Sequence, residues 1–374
     1  MQAVTQTSPV SKSSNAWHSY FVMAFALIEC ITHFGSVQGD SSGYVDMVKL
    51  FRGTATPQEA LIAGWHGMLR PVIPLLAVPV SFVTGYPTAI AAVNTVFVVI
   101  GTLFMYKFGT KLLTPEIGFI SAIAFASATP VLTYGAAVLT DGPGYVMLIV
   151  LFYLIVFVLP EKNSLNFACL IGLLLAVGIL TKETTVILLI FTPLFYLANR
   201  ARLKLQNVIV ILLLGLAIPL GWAQAIGQSY FGYYSVGVAY AGSGYEGPLL
   251  HARLFMLSAI VAFAILLPFA FMAFFTLKDK SIFETICLVL LSAGLIVLGW
   301  PTLPESRLTF YTFPAVIPLA ALGVTQACEV LADRPFFRFL TKKQWLILVL
   351  LLIIISTNAS RGYLKLASRF VELH

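Results

Sequence analysis

The chain has 374 residues, 59% of them hydrophobic and 10% charged, with a formal net charge of +7 and a mean hydropathy of +0.95. Soluble domains carry roughly half apolar and a quarter charged residues, so this composition excludes an ordinary water-soluble core. The positive charge does not point to nucleic acid, because Lys and Arg form short clusters between apolar blocks and not one surface stripe.

Residues 1–16 are polar and rich in Ser and Thr, and they predict a disordered cytoplasmic tail. The stretch from Trp17 to Phe34 is too long for a signal-peptide core and has no small-residue cleavage site behind it, so it predicts an uncleaved anchor helix. Apolar blocks lie at 17–35, 70–84, 86–106, 115–136, 140–160, 164–181, 183–199, 206–227, 252–277, 283–301, 308–331 and 344–360. Blocks of about 17 to 25 residues match a helix crossing ~30 Å of hydrocarbon. The expectation is an all-α polytopic membrane protein of about 11 or 12 transmembrane helices, with residues 17–374 forming one domain. The block from Arg70 to Gly85 is short and carries Pro71, Pro74 and Pro79, which predict a kinked or dipping segment. No internal repeat is evident, and Cys30, Cys169, Cys287 and Cys328 read as buried small hydrophobes.

Cationic clusters set the orientation. Lys107 with Lys111, Lys162, Arg200 with Arg202 and Lys204, Lys278 with Lys280, and Arg334 through Lys343 occupy every second connection, which the positive-inside rule makes cytoplasmic. The connections at Thr140-Asp141, Lys182-Glu183, Tyr230 to His251 and Pro304 to Arg307 then face outward, together with a first loop over 36–69. A second large outward loop is expected over 228–251, with several Tyr and Gly that suit a sugar or peptide acceptor or an interfacial aromatic belt.

In the first loop Tyr44, Met47, Val48 and Phe51 share a helical face, predicting a short amphipathic helix along the membrane surface. Thr56-Pro57-Gln58-Glu59 matches a capping box and predicts a second short helix through Ala63. Asp40, just before the first of these, reads both as a helix N-cap and as a general base with access to water. Glu29 and His33, four residues apart, read either as lining a donor site or as a mutually satisfied packing pair.

The order of these motifs resembles the GT-C glycosyltransferases. Gly39-Asp40-Ser41-Ser42-Gly43-Tyr44, then Phe51-Arg52-Gly53, then Leu69-Arg70-Pro71 with Pro74, is similar to that family's first loop. Thr140-Asp141-Gly142-Pro143, Leu180 to Thr184, and Glu305-Ser306-Arg307 with Tyr311 and Pro314 extend the likeness over most of the chain. The protein O-mannosyltransferase and aminoarabinose-transferase-like branches, which use polyprenyl-phosphate sugars, are closest in pattern. The resemblance implies inverting transfer of a sugar from a lipid-linked phosphate to a glycan, lipid or protein acceptor, outside a bacterial or archaeal plasma membrane rather than in the endoplasmic reticulum.

The resemblance aligns Asp40 with the family's catalytic acid residue. It implies that Arg70, Arg307 and Lys182 meet the leaving phosphate, with Asp141, Glu183, Tyr44 and Tyr311 also in the site. Arg70 alternatively reads as an interfacial anchor, Asp141 as an N-cap and Glu183 as a first-turn charge. The chain departs from many relatives in having Ser41 where a second acidic residue often follows. A divalent cation, Mg or Mn, held by Asp40 and His66 is left open, as is a His66 that only hydrogen-bonds. Two other classes compete: a secondary transporter, with Asn94 and Gln224 as internal polar candidates, and a non-enzymatic lipid-binding or scaffold subunit.

Overall fold

The computed structural model describes residues 12–37, 40–59, 68–232, 256, 259–260, 262–263, 265–299, 306–337 and 339–371. Helices make up almost all of it, and every apolar block of the sequence carries one. They are α1 (Lys12–Thr32), α2 (Ser41–Arg52), α3 (Val72–Ser81), α4 (Tyr86–Leu112), α5 (Pro115–Ser127), α6 (Thr129–Tyr134) and α7 (Asp141–Tyr153). Then follow α8 (Leu165–Thr181), α9 (Ile187–Ala198), α10 (Leu205–Ala225), α11 (Leu266–Thr276), α12 (Lys280–Gly299), α13 (Phe313–Asp333) and α14 (Lys342–Val371). The α7 helix runs on through a π turn to Lys162, and short 3-10 turns at Glu183–Val186 and Ser306–Thr312 lead into α9 and α13.

Among the described residues five helices are long and apolar enough to cross a membrane: Tyr86–Leu112, Asp141–Lys162, Leu205–Ala225, Thr309–Asp333 and Lys342–Ala359. Six shorter apolar helices pack with them. The α3 helix, with 10 residues, spans only about 15 Å, which agrees with the dipping segment expected there. Large apolar side chains such as Val83, Phe275 and Ile355 lie on the outside, as lipid-facing surfaces require. Inside, hydroxyls of Thr95, Thr102, Ser121, Ser127, Thr192, Thr325 and Thr357 each donate to the carbonyl one turn back. Polar side chains thus sit in an apolar interior with their hydrogen bonds made within their own helices.

Two boundaries differ from the sequence expectation. Helix α1 begins at Lys12, so residues 12–16 extend the anchor helix instead of joining the tail, since nothing between Lys12 and Phe34 is a Pro or Gly that would stop propagation. The block 115–136 is not one helix. It breaks at Ala128, whose backbone is extended (ψ 136°) ahead of α6 with Pro130 in its first turn, because Pro cannot supply the N–H that would continue the ladder. Residues 135–140 then follow as buried, non-helical backbone.

The connections sort to two ends. At one end Lys111 pairs with Glu161 at 3.3 Å, Lys342 with Glu116 and Glu329, and Asn163 bonds the Arg202 carbonyl and the Asn207 amide. These belong to the Lys- and Arg-rich connections. Among the described residues the connections at Thr140-Asp141 and Lys182-Glu183 meet the first loop at the other end, around Arg70.

Candidate active site

The α2 helix carries the first-loop motif. It ends where Gly53 takes a left-handed conformation (φ 77°), whose N–H and that of Thr54 close the last turn. Its apolar face buries Tyr44, Met47 and Val48. Tyr44 and Val48 pack in one cluster with Ile73, Ala77, Ala89 and Ile90 of α3 and α4, so the helix docks on the bundle and not simply along a membrane surface. Arg52 donates to the Ser81 carbonyl at 2.9 Å and lies 4.5 Å over the Phe82 ring; the Phe-Arg-Gly stretch is a clasp between α2 and the α3–α4 turn. The capping box is present: the Glu59 carboxylate accepts from the Thr56 N–H at 2.6 Å, and the Glu59 N–H donates to the Thr56 hydroxyl. These bonds hold the Glu59 carboxyl below its ordinary range. The rest of that helix, to Ala63, lies outside the described residues.

Arg70 is buried, 3% exposed, which excludes the interfacial-anchor reading. Its Nε and Nη2 donate to the two Glu183 oxygens at 2.5 and 2.6 Å, and its Nη1 to the Tyr44 hydroxyl at 2.6 Å. Thr140 Oγ1 donates to the same hydroxyl at 3.0 Å. The chain entering Arg70 is fixed by Trp222, donating to the Met68 carbonyl at 2.7 Å, and by Tyr230, donating to the Leu69 carbonyl at 3.2 Å. Burial raises the Tyr230 phenol above its ordinary value, with the Glu183 carboxylate adding to the effect, so it remains a donor.

A second buried pair stands beside the first: Lys182 Nζ lies 3.2 Å from Asp141 Oδ1, with side chains 7% and 2% exposed. Gly144 lets α7 approach, since a Cβ there would meet the Lys182 Cβ at 2.7 Å. Arg70, Glu183, Lys182 and Asp141 therefore form a cluster of two cations and two anions with a formal sum of zero. The sequence reading assigned these four to the site separately; the structure pairs them. Tyr311 is fully buried, within electrostatic reach of Glu183, Asp141 and Arg70. Its neighbour Phe310 packs on Tyr145 of α7 with ring centroids 3.9 Å apart.

Asp40 occupies the N-cap position of α2, and its side chain makes no capping hydrogen bond. It is exposed, four residues before Tyr44 and so about 6 Å along the helix axis from the residue that grips Arg70. The Arg307 side chain and His66 lie outside the described residues, as do Tyr233, Tyr234, Tyr240 and Tyr245 of the second loop. Glu29 and His33 bond locally: His33 Nδ1 is 3.7 Å from the Glu29 carboxylate and 2.8 Å from its carbonyl, the geometry of a packing pair. Gln224 is exposed and Asn94 is hydrogen-bonded to backbone, so the two polar candidates of the transporter reading do not form a common site.

The described residues contain no group of three His, Cys, Asp or Glu side chains arranged for a metal ion. The Asp40–His66 pair has one member outside the described residues, and no step below is derived through a metal.

Comparison with known proteins bears on the family and the fold. Residues 72–223 match the family described as dolichyl-phosphate-mannose-protein mannosyltransferase. No curated protein matches the chain in sequence. In fold it is similar to ArnT from Cupriavidus metallidurans in the apo state, at a TM-score of 0.59 and 12% identity, over 94% of this chain and 73% of that one. The undecaprenyl phosphate-bound form of that protein gives 0.58 at 13% identity, over 94% and 72%. The archaeal oligosaccharyltransferase AglB from Archaeoglobus fulgidus, in complex with an inhibitory peptide and a dolichol-phosphate, gives 0.60 at 10% identity, over 94% of this chain and 56% of that one. The chain thus shares the fold of these membrane proteins. The matched family is a protein mannosyltransferase family, one of the two branches that the sequence resembles.

Proposed function

We propose that the chain transfers a sugar from a polyprenyl-phosphate-linked donor to an acceptor hydroxyl, at the end of the bundle opposite its Lys- and Arg-rich connections. The observation that carries this reading is the buried Arg70–Glu183 and Lys182–Asp141 cluster set beneath the helix whose N-cap is Asp40, within a fold shared with proteins bound to undecaprenyl phosphate and dolichol-phosphate. The positive-inside rule makes that end extracytoplasmic, in a bacterial or archaeal plasma membrane.

Three acidic side chains come near the site, and their surroundings divide the work. Glu183 has both oxygens engaged by a guanidinium, and Asp141 sits against an ammonium in a buried position, so neither is placed to meet an acceptor hydroxyl. Asp40 is reached by solvent, and an acceptor hydroxyl can approach it. In the proposed step the acceptor oxygen attacks the anomeric carbon as the bond from that carbon to the phosphate oxygen breaks. The hydroxyl proton passes to Asp40, and the lipid phosphate leaves with the bonding pair. A single displacement of this kind inverts the anomeric carbon. Because the four buried charges sum to zero, the leaving phosphate needs a further positive group, and Arg307 is the residue we assign to it. Glycan, lipid and protein hydroxyls are all compatible acceptors.

The test is incubation of the purified protein with a panel of polyprenyl-phosphate sugars, following release of the lipid phosphate. Turnover with one donor, lost in Asp40→Asn while the fold is kept, is the expected result; undiminished turnover in that variant rejects Asp40 as base. Saturable solute flux into liposomes free of lipid-linked sugar would instead favour a transporter.

A further inference from the structure

The buried stretch from Gly135 to Thr140 is non-helical, bent backbone inside an apolar bundle, where each peptide group needs a partner. Its two edges are held differently. On one edge the Gly35 N–H donates to the Ala136 carbonyl at 3.1 Å, and the Val138 N–H donates to the Ser36 carbonyl at 3.0 Å. On the other, the side-chain amide of Asn94 donates to the carbonyls of Ala137 and Leu139, both at 2.6 Å. Both Asn94 contacts are to carbonyls, so its amide nitrogen must be the group that faces them.

The ribbon ties together the two parts of the site. Residues 35 and 36 precede Asp40 in the first loop by five and four positions. Thr140, the next residue after the ribbon, donates to Tyr44, and Asp141 pairs with Lys182. Asn94 is fully buried in the middle of α4 and bonds to no side chain of the charged cluster, yet it fixes the height at which the ribbon, and with it both neighbours, sits against the bundle.

Resting on the transferase reading, we infer that Asn94 is a positioning residue for sugar transfer: it sets the register between the Asp40 loop and the Asp141–Lys182 pair. Asn94→Asp keeps the shape but turns a donor into an acceptor facing two carbonyls, and Asn94→Ala leaves both carbonyls without a partner. Full-length protein in micelles is compared by hydrogen exchange and by transfer kinetics with the panel donor that the unmodified protein turns over. Exchange at the Gly35 and Val138 amides should accelerate about 10-fold or more in both variants, with protection kept across α4. Turnover number should fall about 10-fold to 100-fold, and the donor KM should change by less than about 3-fold, because donor-binding groups stay in place while the base is displaced.

Unchanged exchange at Gly35 and Val138 overturns the inference, and so does accelerated exchange with full turnover. Loss of protection throughout the protein would mark Asn94 as a general core residue and also overturns it. If Asn94→Asp does not fold, Asn94→Ser, a shorter donor, should give an intermediate shift in both readouts. If the unmodified protein turns over no donor, the transferase reading falls, while the exchange arm still decides whether Asn94 couples the ribbon to the first loop.

Discussion

The Arg70–Glu183 pair gives the sharpest prediction about what holds the site. Both side chains are largely buried, at 3% and 12% exposure, and are joined by two parallel hydrogen bonds. Removing one partner from such a pair strands a charge in low dielectric and costs about 3–5 kcal/mol. Glu183→Gln keeps one acceptor for the guanidinium and should fall near the low end, at about 3 kcal/mol. Arg70→Met leaves the Glu183 carboxylate facing only Lys182, already engaged by Asp141, and removes a donor from Tyr44, so about 4 kcal/mol is expected. The double variant Arg70→Met with Glu183→Leu strands no charge. It should therefore be less destabilised than the sum of the single variants by at least about 2 kcal/mol, while remaining inactive. Equilibrium unfolding in mixed micelles, read by tryptophan fluorescence, measures all three. Trp222 is a useful reporter because it bonds the backbone two residues before Arg70. Single-variant costs below about 1 kcal/mol would be those of an exposed ion pair, and additive costs would deny coupling; either result refutes the reasoning.

Three other expectations follow from the same geometry. Tyr44→Phe removes the hydroxyl shared by Arg70 and Thr140 and should cost about 1–3 kcal/mol in the same unfolding assay, with reduced transfer. Gly144→Ala places a methyl group against the Lys182 side chain and should destabilise by about 1–3 kcal/mol, read as a lowered melting temperature. Glu59 is held below its ordinary carboxyl range by the Thr56 N–H and hydroxyl. A depressed carboxyl stabilises above its unfolded value and loses that contribution as pH falls through the folded one, so the Glu59 amide should lose exchange protection only below the ordinary Glu range. Glu59→Gln should flatten that pH dependence.

The helices were legible because burial in lipid demands long apolar blocks, and each block from 70–84 to 344–360 carries a helix. The first loop was legible for another reason: a helical face at Tyr44, Met47 and Val48 and a capping box at Thr56 to Glu59 are local patterns, decided by residues a turn apart. The pairing inside the site was not legible. Arg70 and Glu183 stand 113 positions apart, and nothing in either neighbourhood says which acid meets which base. The break at Ala128 inside the block 115–136 was missed because the block was judged by its apolar length, while Pro130 sits in the first turn of α6. Asn94 was singled out as an internal polar residue, but its partners are backbone carbonyls, which carry no residue signature. Tyr230 was read as a belt or acceptor contact, and its bond to the Leu69 carbonyl depends on how α10 packs on the first loop.

The charge balance of the cluster follows from where it is built. A site that stabilises a leaving phosphate needs cations, but uncompensated cations buried at the end of a membrane bundle would oppose folding before any donor arrives. Pairing Arg70 with Glu183 and Lys182 with Asp141 offsets part of that cost, and the bidentate geometry fixes the guanidinium plane in advance. The same pairing limits what the cluster can do for an anion, since a neutral quartet offers oriented dipoles and not a net charge. The proposed division of labour is a consequence: buried pairs set the geometry, while the proton and the phosphate are assigned to groups outside the quartet, Asp40 and Arg307.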